Sequence, residues 1–513
     1  MNESYRHFAE RQQKRNPSLE TLLQFLATAS SRTSTCRIIS LDFYNDTLSP
    51  RQREIQVERL AHLLGDQGDG FVGRFVICED LDPLIIEWLG TALQIDPMFF
   101  AAHIHHTSVG PGSDPPSLVT LSSILHAKEF VNLHFHRVIE FQDAPPNRRM
   151  FQTSIVPRKI MAVRVTGNKW LGLEQHCCSI LRVSSQSIPW LYLILVDPPS
   201  TNAIAKGHRD KSCSSPTSVR IRPFQGGYED FLPAQLPDQR DSDIGPGRHS
   251  MLDDIAYYWT RAPQLHFRRD SPTLLSACYI PLHLVASEWT QYIRLMSRSV
   301  KQFEYSVMGL PALLKDLSRL DSDLQALQSW RRRTITTMFK LHHVSKFIRT
   351  RCLAEPDSGV WTALADDFNE LSANADTHGK RLEAMVPVVT SFIQVLDSRR
   401  ALAETANISR VTYLALVFVP LTFASSLFSM EVDNAPGGRA FWMYFAVAVP
   451  LLILVLLIAW LHPLATFAVD LGQSWLPWLK MLRGNWKPRL HPGGHASGAA
   501  EQDDHLPGAD LYA

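Results

Sequence analysis

The sequence predicts a cytosolic α/β domain joined by a long helical stalk to two C-terminal transmembrane helices, and three patterns carry that prediction. Two uncharged runs near the C-terminus each have about the length of a bilayer span. Short apolar runs of strand character alternate with a helical pattern between residues 36 and 199. From about Ser276 onward, apolar residues recur every three or four positions, the period of a helix.

The spans come first because they are the most specific. Val411 to Met430 reads VTYLALVFVPLTFASSLFSM, about twenty residues without a charge, and twenty helical residues rise about 30 Å, the thickness of bilayer hydrocarbon. Phe441 to Leu461 reads FWMYFAVAVPLLILVLLIAWL, of similar length and more apolar. The intervening EVDNAPGGRA, residues 431–440, is a Pro-Gly turn, so the two helices form a hairpin whose flanks share one side of the membrane. Arg399, Arg400 and Arg410 precede the first span and Lys480, Arg483, Lys487 and Arg489 follow the second, whereas the loop sets one Arg439 against Glu431 and Asp433. The positive-inside rule therefore puts both termini in the cytoplasm and residues 431–440 outside. Trp475, Trp478 and Trp486 beyond the second span suit either the headgroup boundary or the surface of a soluble part.

In the α/β region, CRIISLDFY, FVGRFVICEDL, VNLHFHRVIEF and PWLYLILVD read as strands, and IIEWLGTALQIDPMFFAAHI reads as a helix and turn. The organisation expected is an N-terminal extension at 1–35, the α/β domain at 36–199 and a Pro-, Ser- and Gly-rich insertion at 200–250 that needs no order. A helical stalk at 251–410 then leads to the first span at 411–430, the loop at 431–440, the second span at 441–461 and a tail at 462–513, disordered in part. Within the stalk, Trp361, Leu364, Phe368, Leu371, Ala375, His378, Leu382, Met385, Val389, Phe392 and Leu396 follow a 3-4-3-4 spacing, the seam along which helices pack. No turn separates this helix from the first span, so one helix of about 100 Å is expected from Val360 to Met430, with Gly379, Pro387 and Pro420 as kink positions.

Composition narrows the function. With 51 basic and 50 acidic residues the net charge is +1, which gives no field for a nucleic-acid partner. Seven scattered cysteines without a CxxC pair argue against a disulfide framework or a zinc ribbon. The charged, mixed-sign N-terminus is not a secretory signal, and no Walker loop, GxSxG elbow or zincin motif is present, so an enzyme is not expected.

Two constellations could carry chemistry. Thr422, Ser426 and Ser429 are spaced by four and three and lie on one helical face, as pore-lining hydroxyls or as small residues that pack helices together. Continuing that face toward the cytoplasm gives Val419, Ala415, Val411 and Ile408. Ala415 is too small to constrict, so Ile408, Val411 and Val419 are the candidate hydrophobic gate, with helix packing as the structural alternative. The second constellation is His103, His105 and His106 in HIHH with His134 and His136 in HFH, a candidate metal-ligand set that ordinary packing histidines would also explain. His176 and Cys178 likewise share a strand face, where a buried free cysteine is common.

The stretch LDSRRALAETANISRVTYLALVFVPLTFASSLFSMEV, with its Pro420-Leu421-Thr422 triplet about ten residues before the external mouth, resembles the stalk end and pore helix of the CorA family of divalent-cation channels, which includes the zinc-transport branch called ZntB. LQIDPMFFAAHI and the stalk resemble the family's cytosolic funnel more loosely, so the resemblance spans about residues 36 to 465. It implies a homopentamer in the lipid bilayer, of the plasma membrane first, with the first spans around a pore, no resident cofactor, and Mg²⁺ as transported ion ahead of Zn²⁺. It also implies a Gly-Met-Asn mouth that holds hydrated Mg²⁺, and here those positions are Ser429, Met430 and Glu431. A ring of Glu431 carboxylates would concentrate divalent cations, and a solvated helix end is the plainer alternative. The altered triplet also suggests a rival function, a non-conducting, membrane-anchored interaction or regulatory protein.

Overall fold

The computed structural model describes residues 4–28, 36–57, 68–105, 121–146, 148–165, 169–185, 187–206, 217–224, 230–231, 246–261, 266–308, 317–355, 357–429 and 442–457. It divides into two compact units, 1–392 and 393–513.

The first unit opens with helices α1 (Tyr5–Gln13) and α2 (Glu20–Ala27) and continues through strands β1 (Arg37–Tyr44), β2 (Arg51–Ile55) and β3 (Phe71–Glu79). Helices α3 (Pro83–Leu93), α4 (Pro97–Ile104) and α5 (Ser122–Ala127) follow, then β4 (Phe130–Phe141), β5 (Arg149–Gln152), β6 (Lys159–Arg164), β7 (Trp170–Val183), β8 (Leu191–Val196), β9 (Asn202–Lys206) and β10 (Thr217–Pro223). The segment expected as helix and turn is two helices, because aspartates start both. Asp82 accepts from the Leu84 amide at 2.8 Å and Asp96 from the Met98 amide at 2.9 Å, each followed by a proline that suits the first helical position. Between them the chain reverses through Gln94 in the left-handed region, φ 49°.

All these strands join one sheet in the order β2-β1-β3-β8-β7-β4-β10-β9-β5-β6. Only β3 with β8 is a parallel pair among the described residues. β6 also pairs with β7, so β7, β4, β10, β9, β5 and β6 close into a small barrel at one end of the sheet. Its apolar filling is Ile139, Phe141, Met150, Ile160, Ala203, Ala205, Val219 and Ile221. Gly172 of β7 belongs to that closure, because a Cβ there would meet Ile139 Cγ1 at 2.6 Å. The insertion at 200–250 therefore departs from expectation, since it supplies β9 and β10. Their inward residues are only two alanines, a valine and an isoleucine, too short and too small a signal to read as strand.

One face of the open sheet is covered by α1 to α4 through Tyr5, Leu22, Ile86, Phe99 and Phe100. The other is covered by α6 (Met251–Arg261), the single turn α7 (Leu274–Ala277), α8 (Tyr279–Met308), α9 (Leu317–Arg351) and the first part of α10 (Ser358–Phe428). α10 is one continuous helix across Gly379, Pro387 and Pro420. Its seam is buried at Trp361, Leu364, Phe368, Leu371, Ala375, Leu382, Met385 and Val389, while the side chains of Phe392 and Leu396 lie outside the described residues. Gly379 serves as a point of close approach, where a Cβ would meet Thr334 Cγ2 of α9 at 2.6 Å.

The second unit holds the end of α10 and a shorter apolar helix, α11 (Trp442–Leu457). Val411–Phe428 is the one helical stretch long and apolar enough to cross a membrane among the described residues. The second span expected at 441–461 is represented by α11 alone, and its ends lie outside the described residues.

Candidate pore helix and polar cluster

The segment 411–428 is turned outward. Val411, Leu414, Phe418, Val419, Phe423 and Leu427 are each more than half exposed, whereas Pro420 and Ala424 are buried. α11 is beside this end of α10, with the Phe428 and Tyr444 rings 6.2 Å apart and Ala448 buried. Small buried residues allow helix backbones to approach closely within a membrane.

The direction of that contact fixes what remains free. At 3.6 residues per turn, Pro420, Ala424 and Phe428 share one face. Ile408, Val411, Ala415, Val419, Thr422, Ser426 and Ser429 all fall within about 40° of the direction opposite Ala424. Ile408, Val411, Val419, Thr422, Ser426 and Ser429 are exposed. The candidate hydroxyls and the candidate gate thus form a single stripe on the face turned away from Ala424. Thr422 Oγ1 donates back to the Phe418 and Val419 carbonyls, both at 2.9 Å, which commits its proton and leaves oxygen lone pairs as acceptors. Met430 and Glu431 lie outside the described residues.

The histidines sit in the first unit. The β4–β7 register places His134 opposite Cys177 and His136 opposite Gln175, so His134 and His136 share a face, as do His176 and Cys178. His103, at the end of α4, is buried and its Nδ1 lies 2.9 Å from Ser179 Oγ. His134 Nε2 is 4.0 Å from Cys177 Sγ. His136 packs its ring against Trp289 and Tyr292 of α8, at 5.6 and 5.2 Å between centroids. The His105 carbonyl accepts from Arg158 Nη1 at 3.4 Å, and His106 lies outside the described residues. On the opposite strand face, buried His176 bonds the Glu174 carboxylate at 2.8 Å, which also receives Ser200. Among the described residues no group of three or more His, Cys, Asp or Glu side chains could hold a metal ion.

What gathers there instead is positive charge. Arg158 is buried and forks onto Asp197 at 2.8 and 2.9 Å, and Asp197 also receives the Cys177 amide. Burial pulls the Lys340 ammonium of α9 down to about 8, against the opposing influence of Cys177 and with Arg158 and Arg333 adding to it. Burial likewise lowers His103 to about 4 and holds His134 and His136 well below the usual histidine range, Lys340 being the first charge to add to the effect on both strand histidines. Sequence reasoning missed Arg158, Asp197 and Lys340. Hydropathy patterns do not signal buried charges, although Trp330, Arg333, Thr337 and Lys340, spaced by three, four and three, mark one face of α9.

Residues 291–462 match the family described as CorA-like Mg2+ transporter protein. Zinc transport protein ZntB of Pectobacterium atrosepticum is 35% identical over 99 residues, which cover 18% of this chain and 30% of that protein. The protein of the same name from Pectobacterium carotovorum is 34% identical over the same shares. The chain thus spans less than a third of the length of these curated relatives. Among solved structures, the CorA magnesium transporter from Methanocaldococcus jannaschii aligns over 83% of this chain and 98% of its own, at 8% identity and a TM-score of 0.38. The full-length CmaX protein aligns over the same shares at 10% identity and a TM-score of 0.33.

Proposed function

From the premise that residues 291–462 belong to the CorA-like Mg2+ transporter family, a family of membrane transporters rather than enzymes, we propose that this chain conducts divalent cations through a homo-oligomer whose pore is lined by α10. The observation that carries the reading is the stripe of Ile408, Val411, Val419, Thr422, Ser426 and Ser429, which lies opposite the buried Ala424. In a ring of copies that free face is the one available to a central path. A Thr422 hydroxyl whose proton is engaged by its own helix suits a hydrated cation, and bulky apolar rings below it suit a gate that closes by dewetting. α11 completes a hairpin that keeps both termini cytoplasmic and residues 431–440 outside. A pentamer is the assembly that the family resemblance implies, and Met430 and Glu431 stand at the mouth.

Mg²⁺ is the first ion, after the description of the matched family, and Zn²⁺ the second, because the matched relatives are named for zinc transport. A carboxylate ring at Glu431 favours ions that shed water more readily than Mg²⁺ does. The Ser429-Met430-Glu431 triplet supports the second reading, a non-conducting, membrane-anchored regulatory relative.

The test is concentration-dependent uptake of Mg²⁺, Zn²⁺ and Ni²⁺ by proteoliposomes that hold only the full chain, with a cysteine at Asn434 reporting orientation through an impermeant reagent. Wild type should conduct, Thr422→Val should lower flux severalfold by removing an acceptor of nearly the same shape, and Glu431→Gln should weaken uptake most at low cation concentration. No flux from correctly oriented wild type would leave the regulatory reading. Flux indifferent to both substitutions would remove α10's stripe from the pathway.

A further inference from the structure

The polar cluster in the first unit has a composition that cation transport does not explain. On one face of α9, Arg333, Thr337 and Lys340 follow Trp330 at helical spacing. Thr337 donates to the Tyr292 hydroxyl of α8 at 3.1 Å, and the Trp330 and Tyr292 rings are 5.8 Å apart, which brings this face of α9 against α8. Tyr292 in turn packs on His136 of β4, beside Trp289. Two polar atoms here are buried without a hydrogen-bond partner, His136 Nδ1 and Trp289 Nε1. Both residues are more than nine-tenths buried, and their rings lie 5.6 Å apart.

Leaving a buried donor unpaired is costly, so a pair of them in contact signals a missing acceptor. The indole N–H can only donate, and His136 donates from Nδ1 in the matching tautomer. The surrounding charges have the same character. Lys340 and Arg333 are the first two charges that act on His136, and Arg158 and Arg333 both act on Lys340. Asp197, the carboxylate of this cluster, is already held by Arg158 and the Cys177 amide. A buried pair of donors beside half-buried cations suits a compact anion with several acceptor oxygens, and the cations repel a metal ion.

We propose that the junction of β4, α8 and α9 binds a phosphate-class oxyanion, held by Arg333 and Lys340 with Trp289 Nε1 and His136 Nδ1 as neutral donors. The site stands independently of whether α10 conducts. The test uses the purified full chain in detergent at constant ionic strength, with equilibrium dialysis of labelled inorganic phosphate and thermal unfolding against a chloride reference. Wild type should bind one phosphate per chain and unfold at a higher temperature with it. Lys340→Met and Arg333→Met, which keep apolar bulk, should weaken binding at least tenfold. Should either fail to fold, Trp289→Phe decides, since it keeps most of the ring and should weaken binding about threefold. Absence of binding above the chloride reference, or equal binding by wild type and Trp289→Phe with the cationic variants unchanged, overturns the site. Stabilisation by Zn²⁺ in place of phosphate, abolished by His136→Gln, also overturns it and makes the cluster a cation site.

Discussion

The two ends of α10 meet opposite environments with similar side chains. At its beginning, Trp361, Leu364, Phe368 and Leu382 are almost wholly buried. At its end, Leu414, Phe418, Phe423 and Leu427 are more than half exposed. The same residue types thus find their partners within the chain at one end and not at the other. Apolar area kept from water stabilises by roughly 25 cal/mol per Å², and the exposed end gains little of this from the described residues. One continuous helix therefore begins in the buried core of the first unit and ends in an exposed apolar stretch long enough to cross a membrane.

The sharpest way to break this comparison is to place the same substitution at both ends. Phe368→Asp removes a fully buried ring, worth about 3–5 kcal/mol, and adds an unpaired buried charge. The sum approaches the whole stability of a domain, so thermal unfolding of the first unit should collapse and yield should fall. Phe418→Asp should leave the unfolding of that unit unchanged and cost about 2.5–3.5 kcal/mol of membrane insertion, seen as a smaller membrane-integrated fraction. If Phe418→Asp inserts as well as wild type, this stretch is not a span.

How much of this was legible in the sequence follows the same division. The first span rests on a long uncharged run and the seam of α10 on a long periodic one, two signals that one sequence displays well, and Trp361, Leu364, Phe368, Leu371, Ala375, Leu382, Met385 and Val389 are buried while His378 is half-buried. The stripe at Ile408, Val411, Val419, Thr422, Ser426 and Ser429 was likewise readable, although which face α11 occupies was not, because Ala424 is small and carries no signal of contact. The barrel was missed because β5 and β9 span only four and five residues and closure depends on pairings distant in sequence, such as Ile221 with Phe141. Gly379 looked like a kink because its missing side chain has two meanings, and only Thr334 across the interface selects close approach. The charge of Lys340, Arg158 and Arg333 was invisible because a pattern that sorts apolar from polar assigns every charge to the surface.

The second prediction concerns acid, since the two ends also differ in titratable content: residues 411–428 hold no acidic, basic or histidine side chain, while the first unit buries several. His283 of α8 packs against Tyr279 at 4.6 Å and Phe231 at 5.4 Å, and burial, with His266 adding to it, pulls its pKa down to about 4. An unfolded histidine titrates near 6.5. The folded state therefore prefers the neutral ring; its contribution is complete above about pH 6.5 and is lost as pH falls toward 4, on the order of 2 kcal/mol between pH 7 and pH 5. His266, paired with Asp357 at 3.0 Å, and Tyr279 are the titratable groups facing it. Denaturant unfolding of wild type should weaken over that range, and His283→Phe should flatten the slope. An equal slope in both proteins would place the acid sensitivity elsewhere.

The smallest effect separates packing from helix preference at Gly379. In an exposed helix, alanine in place of glycine is worth about 1 kcal/mol of stability, because glycine loses more backbone entropy on folding. At this position the added Cβ would come 2.6 Å from Thr334 Cγ2, so α9 and α10 must move apart or Thr334 must change rotamer, at a typical cost of about 1–3 kcal/mol. The two terms oppose each other, and the steric one wins by a margin of about 1 kcal/mol. Gly379→Ala should therefore lower the unfolding temperature of the first unit by a few degrees. The pair Gly379→Ala with Thr334→Ser, which deletes the offending methyl and keeps the hydroxyl that donates to the Trp330 carbonyl at 3.1 Å, should recover most of that loss. A stabilised Gly379→Ala variant would mean that α9 and α10 are free to separate there, and that this end of α10 is less finished by the fold than its buried seam implies.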